Sequence, residues 1–487
     1  MTAPGRAACT ASIRGRRLTV ILKASDRCNG ACAYCSVGPA GRQTMSGDAF
    51  ETLARELERL VDRWELRGLN LTFHGGEPTL LGPRFIDRAC RRLRRMTIPV
   101  GFMLQSNLLK VTAPMVEVIR RYDIMVGTSF DPLTGRRRLA DGSDAYQRWR
   151  RSYLALAAGG IAPGAIFVVT RPALGRAREL FAAADGIAAE SGRRFGIQLN
   201  PIYGQGRAAG DDQLLVTPEE FGQFMVDAWT IWEASGRRHG LAPIGSFVHA
   251  VAHPRRRFTG TCSFAGNCAA THVGIDHALN VAGCGRRLDS KAFLGNLGDR
   301  PLVDILETSE ERRLIATRSA RLGHGPCQDC RFFALCHGGC PDDAAIVTGD
   351  VMARFGMCAA YRRLLEAITE RHERAGVARP SRRVSPPPRA PAPPPAGPPR
   401  VIRLFAPGSP GAPGAPDSGD GPAPAAGDAA ATAGPRETWL LAAGGPGWLE
   451  FDGALARVVA ATAGPIRLWL PNRRVPALAL WQDVARR

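Results

Sequence analysis

Short apolar runs recur along the first half of the chain and alternate with longer segments of helical periodicity. The runs predict six strands: Leu18–Leu22, Leu69–Phe73, Val100–Leu104, Ile124–Ser129, Ala165–Val169 and Phe195–Leu199. The segments between them predict five helices: Asp48–Arg67, Arg84–Arg95, Ala113–Arg121, Ala145–Ala158 and Ala177–Ser191. This alternation predicts an α/β fold in which helices cover a parallel sheet. About six βα units predict a partial (β/α)6 barrel, with functional side chains at the carboxyl ends of the strands.

The pattern changes beyond the predicted barrel. Residues 217–257 are predicted to be helical, and the segment from Thr261 to Cys358 then carries eight cysteines, many glycine turns and little long periodicity. Such a segment cannot build a strong core alone, so we expect metal cross-links to hold it. A further helix is predicted at about Ala359–Arg374.

The C-terminal fifth of the chain has a different composition. Seventeen of the 37 prolines lie between Pro380 and Pro435, which predicts a disordered linker. The last fifty residues hold four of the eight tryptophans and either capture a partner or pack as ordinary core. The predicted domains are an N-terminal extension (1–16), the barrel (17–240), the cysteine-rich domain (241–375), the linker (376–437) and the tail (438–487).

Charge and localisation signals narrow the possible functions. The chain has 64 Lys+Arg against 44 Asp+Glu, a formal charge of +20, but only three of the basic residues are lysine. Aromatic residues do not interleave with the arginines, which argues against nucleic-acid binding, whereas an acidic partner or peptide remains compatible. No apolar run approaches the roughly 20 residues of a membrane span, and no secretory signal is apparent. We therefore expect a cytoplasmic protein whose thirteen cysteines serve metal or redox chemistry.

The first chemical motif is Cys28-x3-Cys32-x2-Cys35, in the loop after the first predicted strand. Three thiolates from one short loop can hold three irons of a cubane cluster and leave the fourth iron open. A structural zinc site would need a fourth protein ligand, and none is nearby in the sequence. This spacing resembles the radical S-adenosylmethionine (radical SAM) superfamily, in which SAM chelates the open iron.

Other predicted strand ends extend the resemblance. The second strand runs into His74-Gly75-Gly76-Glu77-Pro78, which is similar to the superfamily's Gly-Gly-Glu motif for the methionyl group of SAM. Residues at the ends of the third and fourth strands would line the SAM ribose and the substrate side, and Arg137 or Arg138 would pair with the SAM carboxylate. The resemblance thus implies cofactor contacts from Tyr34, Gly75, Gly76, Glu77, Gln105, Asn107, Ser129 and Arg138.

The second chemical motif is a series of eight cysteines. Cys262, Cys268 and Cys284 precede a dense run of Cys327, Cys330, Cys336, Cys340 and Cys358. Eight thiolates match two fully ligated four-iron clusters, and the spacing closely resembles the SPASM domain of radical SAM peptide-modifying enzymes. The resemblance implies that Cys262, Cys268, Cys284 and Cys340 hold the inner cluster. It assigns Cys327, Cys330, Cys336 and Cys358 to the outer cluster. A pair of zinc ribbons is the alternative.

Two departures bear on the subfamily. Sulfatase maturases of this architecture place an acidic catalytic base after the third cysteine of the series, where this chain has Gly285, and Leu279 replaces a usual SPASM glycine. The segments around Leu22–Cys28, His74–Pro78 and Arg138–Tyr146 look more like the cyclophane-forming, Fxs-type peptide maturases.

The resemblance implies a radical SAM enzyme with three [4Fe–4S] clusters, one binding SAM and two auxiliary. The expected activity is reductive cleavage of SAM followed by oxidative modification, as a cross-link, of a side chain in a ribosomally made peptide. Expected partners are the peptide or protein substrate and a flavodoxin- or ferredoxin-type electron donor. The catalytic residue is not identified. The alternatives are sulfatase-maturase-like oxidation of a Cys or Ser, and a non-catalytic zinc-stabilised basic binding protein.

Overall fold

A computed structural model describes residues 15–38, 41–254, 262–375, 400–403 and 440–443. The chain divides into one compact unit at 1–388 and a second at 389–487. In the second unit, strands Arg400–Arg403 and Leu440–Ala443 pair in antiparallel fashion. The first of these strands lies inside the stretch predicted as linker, and the remaining predictions for the linker and the tail fall outside the described residues. No helix in the described part of the chain is long and apolar enough to cross a membrane.

The described residues of the first unit form ten strands. They are β1 (Arg17–Ser25), β2 (Gly68–Gly75), β3 (Val100–Ser106), β4 (Met125–Ser129), β5 (Gly164–Val169), β6 (Gly196–Pro201), β7 (Gly240–Ala242), β8 (His272–Asp276), β9 (Asn280–Ala282) and β10 (Phe293–Asn296). Its helices up to the second cysteine series are α1 (Gly47–Trp64), α2 (Pro83–Leu93), α3 (Ala113–Arg121), α4 (Tyr146–Ala158), α5 (Ala177–Ser191), α6 (Pro218–Ala234) and α7 (Ile244–Ala252). The later helices are α8 (Gly285–Asp289), α9 (Leu302–Thr308), α10 (Glu310–Gly323), α11 (Phe333–Cys336), α12 (Pro341–Thr348) and α13 (Cys358–Arg374).

These strands form one sheet in the order β10-β9-β8-β1-β2-β3-β4-β5-β6-β7. All neighbours from β8 through β1 to β7 are parallel, and β8, β9 and β10 continue as an antiparallel meander. The partial parallel barrel is confirmed, whereas the prediction of helix over 217–257 holds for α6 and α7 but not for β7, and its last residues, 255–257, lie outside the described residues. The three-residue strand β7 interrupts that segment because its Leu241 is buried beside β6.

The cysteine-rich domain has more regular structure than its sequence pattern predicts. Its helix α10 spans 14 residues, and Ser309 caps it by accepting a hydrogen bond from the backbone N–H of Arg312. The meander β8–β10 extends the barrel sheet, since β8 pairs with β1 from Thr19–His272 to Lys23–Asp276. The second cysteine series is therefore built on the edge of the barrel.

Alternation along the barrel strands separates two faces of the sheet. Leu18, Val20, Leu22 and Ala24 of β1 are fully buried in one core with the apolar side of α1, including Leu57. The opposite face, called here the open face, carries mostly half-buried side chains. It includes Thr19, Asn70, Thr72, Met103, Gln105, Ser129, Gln198 and Asn200. The sheet therefore presents a polar, accessible interior whose strand ends point toward the cysteine loop.

Candidate functional site

The three cysteines of the first motif share one loop after β1. All three residues are half-buried, and the charges of Cys32 and Cys35 help to raise the pKa of the Cys28 thiol. The Gly30 N–H donates to Cys28 Sγ at 3.3 Å, and the Asn107 amide lies 3.7 Å from the same sulfur. Burial raises the pKa of the Cys28 and Cys32 thiols, whereas the adjacent Arg137 guanidinium favours the Cys32 thiolate. The loop therefore gathers three thiols and donors that would stabilise bound thiolates.

Backbone hydrogen bonds from two segments distant in sequence hold this cysteine loop. Ala31 N–H donates to Arg138 O at 2.8 Å, and Ala33 N–H donates to Arg136 O at 2.9 Å. From the end of β6, the Arg207 N–H donates to Cys35 O at 2.9 Å. At Gly206, whose φ is +57°, an added Cβ would lie only 2.3 Å from Cys35 O, a requirement that sequence reasoning missed. The loop conformation is thus fixed by elements distant in sequence.

Gly75 and Gly76 approach the cysteine loop itself. Gly75 has φ +129°, and a Cβ there would lie 2.2 Å from Ser25 O. A Cβ on Gly76 would meet Arg27 O at the same distance, while the Gly76 N–H donates to Ser25 O at 2.8 Å. Only glycine allows this approach, so the Gly-Gly pair joins the end of β2 to the loop that carries the cysteines.

Glu77 is fully buried, and its carboxylate is occupied by protein donors. Oε1 accepts from Thr79 N–H at 3.0 Å, Thr79 Oγ1 at 2.7 Å and Ser106 Oγ at 2.8 Å, and Oε2 accepts from Asn107 N–H at 2.6 Å. Burial raises the pKa of Glu77, and these hydrogen bonds act in the opposite direction. Glu77 thereby ties the end of β2 to the end of β3 beside the cysteine loop.

Asn107 and Arg137 continue this network toward the cysteines. The Asn107 side chain donates to Asn29 Oδ1 at 2.8 Å, and its carbonyl accepts from Arg137 Nη2 at 2.6 Å. Arg137 is 2% exposed and also donates to Ser129 O at 2.7 Å. Arg138, in contrast, is exposed and donates to Gly142 O at 2.9 Å. Of the two arginines, Arg137 lies inside the site and Arg138 at its surface.

The remaining predicted contacts lie around the same strand ends. Tyr34 is close to Cys32 and Arg137, and burial raises its pKa well above the usual value. Gln105 lies on the open face directly across Gly127, where a Cβ would come within 2.3 Å of the Gln105 Oε1. Ser129 is half-buried on the open face of β4. The structure thus places all eight predicted cofactor residues near the carboxyl ends of the barrel strands.

A buried polar cluster near this edge was not predicted. Lys23 of β1 forms an ion pair with Asp289 at the end of α8, and Ser36 Oγ donates to the same carboxylate at 3.1 Å. The His74 ring accepts from the Gly75 N–H at 2.8 Å. Burial, aided by the Lys23 charge, lowers the pKa of His74 to about 4, so the ring is neutral at physiological pH. Nothing in the local sequence around Asp289 marks it as a partner of β1.

The eight later cysteines fall into two sets by their electrostatic neighbours. Cys268 is influenced by Cys340 and Cys262, and Cys284 by Cys340 and Cys268. The members of the first set are Cys262, Cys268, Cys284 and Cys340. In the second set, Cys336 is influenced by the other three members, Cys327, Cys330 and Cys358. The structure thus groups these cysteines in the same interleaved way that the sequence resemblance implies.

The donor sets fit the iron–sulfur clusters that the sequence predicts. A fully ligated [4Fe–4S] cluster is held by four cysteine thiolates. The β1 loop brings three thiols together, and each of the two later sets brings four together.

Curated proteins are similar in sequence to about two thirds of this chain. No protein-family model matches the chain. A serine-type anaerobic sulfatase-maturating enzyme of Klebsiella aerogenes is 23% identical over 326 residues, covering 64% of this chain and 77% of the relative. A cysteine-type anaerobic sulfatase-maturating enzyme of Clostridium perfringens is 21% identical over 345 residues, covering 66% of this chain and 88% of the relative.

Solved structures show the same fold. The enzyme anSMEcpe with bound AdoMet and Cp18Cys peptide matches 74% of this chain and 98% of its own, with a TM-score of 0.62 and 19% identity. Streptococcus suis SuiB bound to its precursor peptide SuiA matches 72% of this chain and 78% of its own, with a TM-score of 0.50 and 15% identity. Together, these findings show that the chain is a homologue of the anaerobic sulfatase-maturating enzymes and shares the fold of radical SAM enzymes solved with peptides.

Proposed function

We propose that this enzyme reductively cleaves SAM and oxidatively cross-links a side chain of a ribosomally made peptide. The observation that carries the proposal is the grouping of eleven cysteines as three in the β1 loop and four in each of two later sets. Cys28, Cys32 and Cys35 would hold the cluster that binds SAM, and the two later sets would hold auxiliary clusters. When bound, the first cluster and SAM supply a 5′-deoxyadenosyl radical that removes a hydrogen atom from the peptide.

The protein's own residues would position SAM beside the open face. Tyr34 lies within the three-cysteine loop, Asn107 contacts Cys28 and Asn29 of that loop, and Gln105 and Ser129 lie on the open face. Arg138 has the exposure needed to meet a carboxylate. Gly75, Gly76 and Glu77 would act by fixing the loop, since their contacts are with the loop and neighbouring strand ends. The likeness to SuiB, which was solved with its precursor peptide, supports a peptide substrate in the open interior.

A net cross-link removes two hydrogen atoms from the peptide. One leaves as a hydrogen atom to the deoxyadenosyl carbon. The second leaves as an electron and a proton, and a carboxylate near the open face, such as Asp289, would accept the proton. Clusters held by the two later cysteine sets would supply an acceptor for that electron, and a flavodoxin- or ferredoxin-type protein would be the donor of the electron that SAM cleavage requires. The binding-protein alternative from the sequence is set aside because the curated relatives are enzymes.

Sulfatase-maturase-like oxidation remains the second candidate. Against it, the position after Cys284 lacks an acid, since it is occupied by Gly285, where a Cβ would lie 2.8 Å from Ile21 Cγ2 of β1. One helical turn later, however, Asp289 provides a carboxylate beside Lys23. No open-face position of the described strands β1–β6 carries Asp or Glu, and Asp289 pairs with Lys23 on that face, so Asp289 is a candidate to accept a substrate proton there.

Product chemistry separates the two candidates. The full-length enzyme, reconstituted anaerobically, would be incubated with SAM, dithionite and short peptides encoded beside its gene. We expect a peptide product that has lost two hydrogen atoms, gives no hydrazone with an aldehyde-reactive hydrazide, and resists fragmentation between the joined residues. A hydrazide-reactive product would instead assign formylglycine formation, and this would contradict the cross-linking proposal.

A further inference from the structure

Arg318, on α10, is 2% exposed. Its side chain donates four hydrogen bonds in the described part of the chain, all to backbone carbonyls. Nη1 donates to Gly339 O at 2.7 Å, and Nη2 donates to Gly338 O at 2.8 Å and Ala353 O at 2.5 Å. Nε donates to Val351 O at 2.6 Å. Within the described residues, Arg318 forms no ion pair with Asp or Glu. A buried guanidinium therefore joins two backbone segments without a carboxylate counter-charge.

The first of these segments links the two cysteine sets. His337, Gly338 and Gly339 connect Cys336 of the outer set to Cys340 of the inner set, and all three have positive φ, at +50°, +86° and +73°. A Cβ at Gly338 would lie 2.3 Å from Leu322 Cδ1, and one at Gly339 would lie 2.1 Å from Phe355 Cδ1. The Gly338 N–H also donates to Cys336 Sγ at 3.4 Å. Arg318 binds the carbonyls of this tightly packed turn, so it fixes the spacing between the two sets.

The Arg318 charge also faces both sets. The thiolates of Cys340 and Cys268 from the inner set and of Cys327 and Cys336 from the outer set all favour the charged guanidinium. Burial acts against that charge and lowers the pKa of Arg318, but an arginine remains protonated across the physiological range. Four thiolates per set supply the negative charge that the carbonyl contacts of Arg318 do not provide.

We propose that Arg318 is a shared positioning and charge-compensating residue for the two auxiliary clusters, setting their separation and raising the reduction potentials of both. This inference rests on the proposed assignment of the eight cysteines to two clusters. Reduction adds one electron to a cluster whose four thiolates already make the site anionic. A fixed positive charge in a low-dielectric interior stabilises the added electron, so loss of that charge disfavours reduction.

The test uses the full-length chain with Cys28, Cys32 and Cys35 replaced by Ala, so that only the auxiliary clusters contribute signals. Anaerobic redox titration with dithionite, followed by electron paramagnetic resonance, measures both midpoint potentials. We expect Arg318→Gln to lower both potentials and Arg318→Lys, which keeps the charge, to leave both close to those of the parent. Arg321→Gln removes an exposed arginine from the same helix and should change neither.

Iron and sulfide counts test the assignment of two auxiliary clusters separately from the role of Arg318. About eight irons per chain in the parent variant support two auxiliary clusters, and a count near four or below would contradict the proposed function itself. With eight irons present, unchanged potentials in Arg318→Gln, or a shift of only one cluster, would overturn the role of Arg318. If Arg318→Gln loses its iron, Arg318→Lys decides: parent-like potentials support the charge role, and a fall in either potential refutes it.

Discussion

Lys23 and Asp289 form an ion pair although 266 residues separate them in the chain. Their side chains are 8% and 6% exposed. Lys23 belongs to the first barrel strand, whereas Asp289 ends the short helix α8 that follows Cys284. The pair therefore connects the strand that leads into the three-cysteine loop with the helix that follows Cys284 of the second cysteine series.

Asp289→Asn should destabilise the enzyme and reduce product formation. The substitution leaves the Lys23 ammonium buried without its counter-charge, which typically costs about 3–5 kcal/mol. We expect an earlier urea midpoint in anaerobic unfolding and a lower ratio of modified peptide to 5′-deoxyadenosine.

The double variant Lys23→Met/Asp289→Leu is the matched control, since it removes both charges together. It should recover most of the lost stability but not the product ratio, because no carboxylate remains to accept a proton. If the double variant makes product as efficiently as the parent, the Asp289 carboxylate has no part in the chemistry.

His74 should make the stability of the enzyme depend on acidity. Its pKa in the folded state is about 4, against 6.5 in an unstructured chain, so between these values the unfolded state binds more protons. The folded enzyme should therefore lose stability as pH falls from about 6.5 toward 4, by up to about 3 kcal/mol. Urea midpoints of the parent and of His74→Gln, compared from pH 7.5 to 5, measure the effect. Parallel curves for the two proteins would show that His74 does not contribute.

Gly75→Ala should disrupt the three-cysteine loop selectively. The new Cβ would collide with Ser25 O at 2.2 Å, and alanine does not tolerate the φ of +129°. We expect the reconstituted variant to lose about four of about twelve irons, together with SAM cleavage. Gly164→Ala on β5 is the control, because no atom lies within 4 Å of its added Cβ. A Gly75→Ala enzyme with full iron content and activity would show that the loop does not need this contact.

The sequence predicted the barrel well because its strands are buried on one face. β3, for example, was predicted at Val100–Leu104 and extends to Ser106, and α3 was predicted with its observed bounds. The short strand β7 escaped prediction because three residues cannot show a periodicity. Helix α10 was missed since its apolar positions are few and its buried face includes Arg312 and Arg318.

The parts of the site that could be predicted are those marked by a characteristic spacing of residues in the sequence. The three-cysteine loop and the Gly-Gly-Glu segment meet as expected because they follow the carboxyl ends of the adjacent parallel strands β1 and β2. The Lys23–Asp289 pair could not be foreseen, since it depends on β8 pairing with β1 across more than half of the chain. Arg318 likewise resembles a solvated helix residue until the turn at Gly338 is placed against it.

The most direct test of radical SAM activity is the yield of 5′-deoxyadenosine from SAM under dithionite. We predict that replacing Cys28, Cys32 and Cys35 by Ala abolishes this product. Cys90→Ala should leave it unchanged, because Cys90 is buried in α2 outside all three cysteine groups. Undiminished 5′-deoxyadenosine from the triple variant would contradict the assignment of these cysteines to a SAM-cleaving cluster.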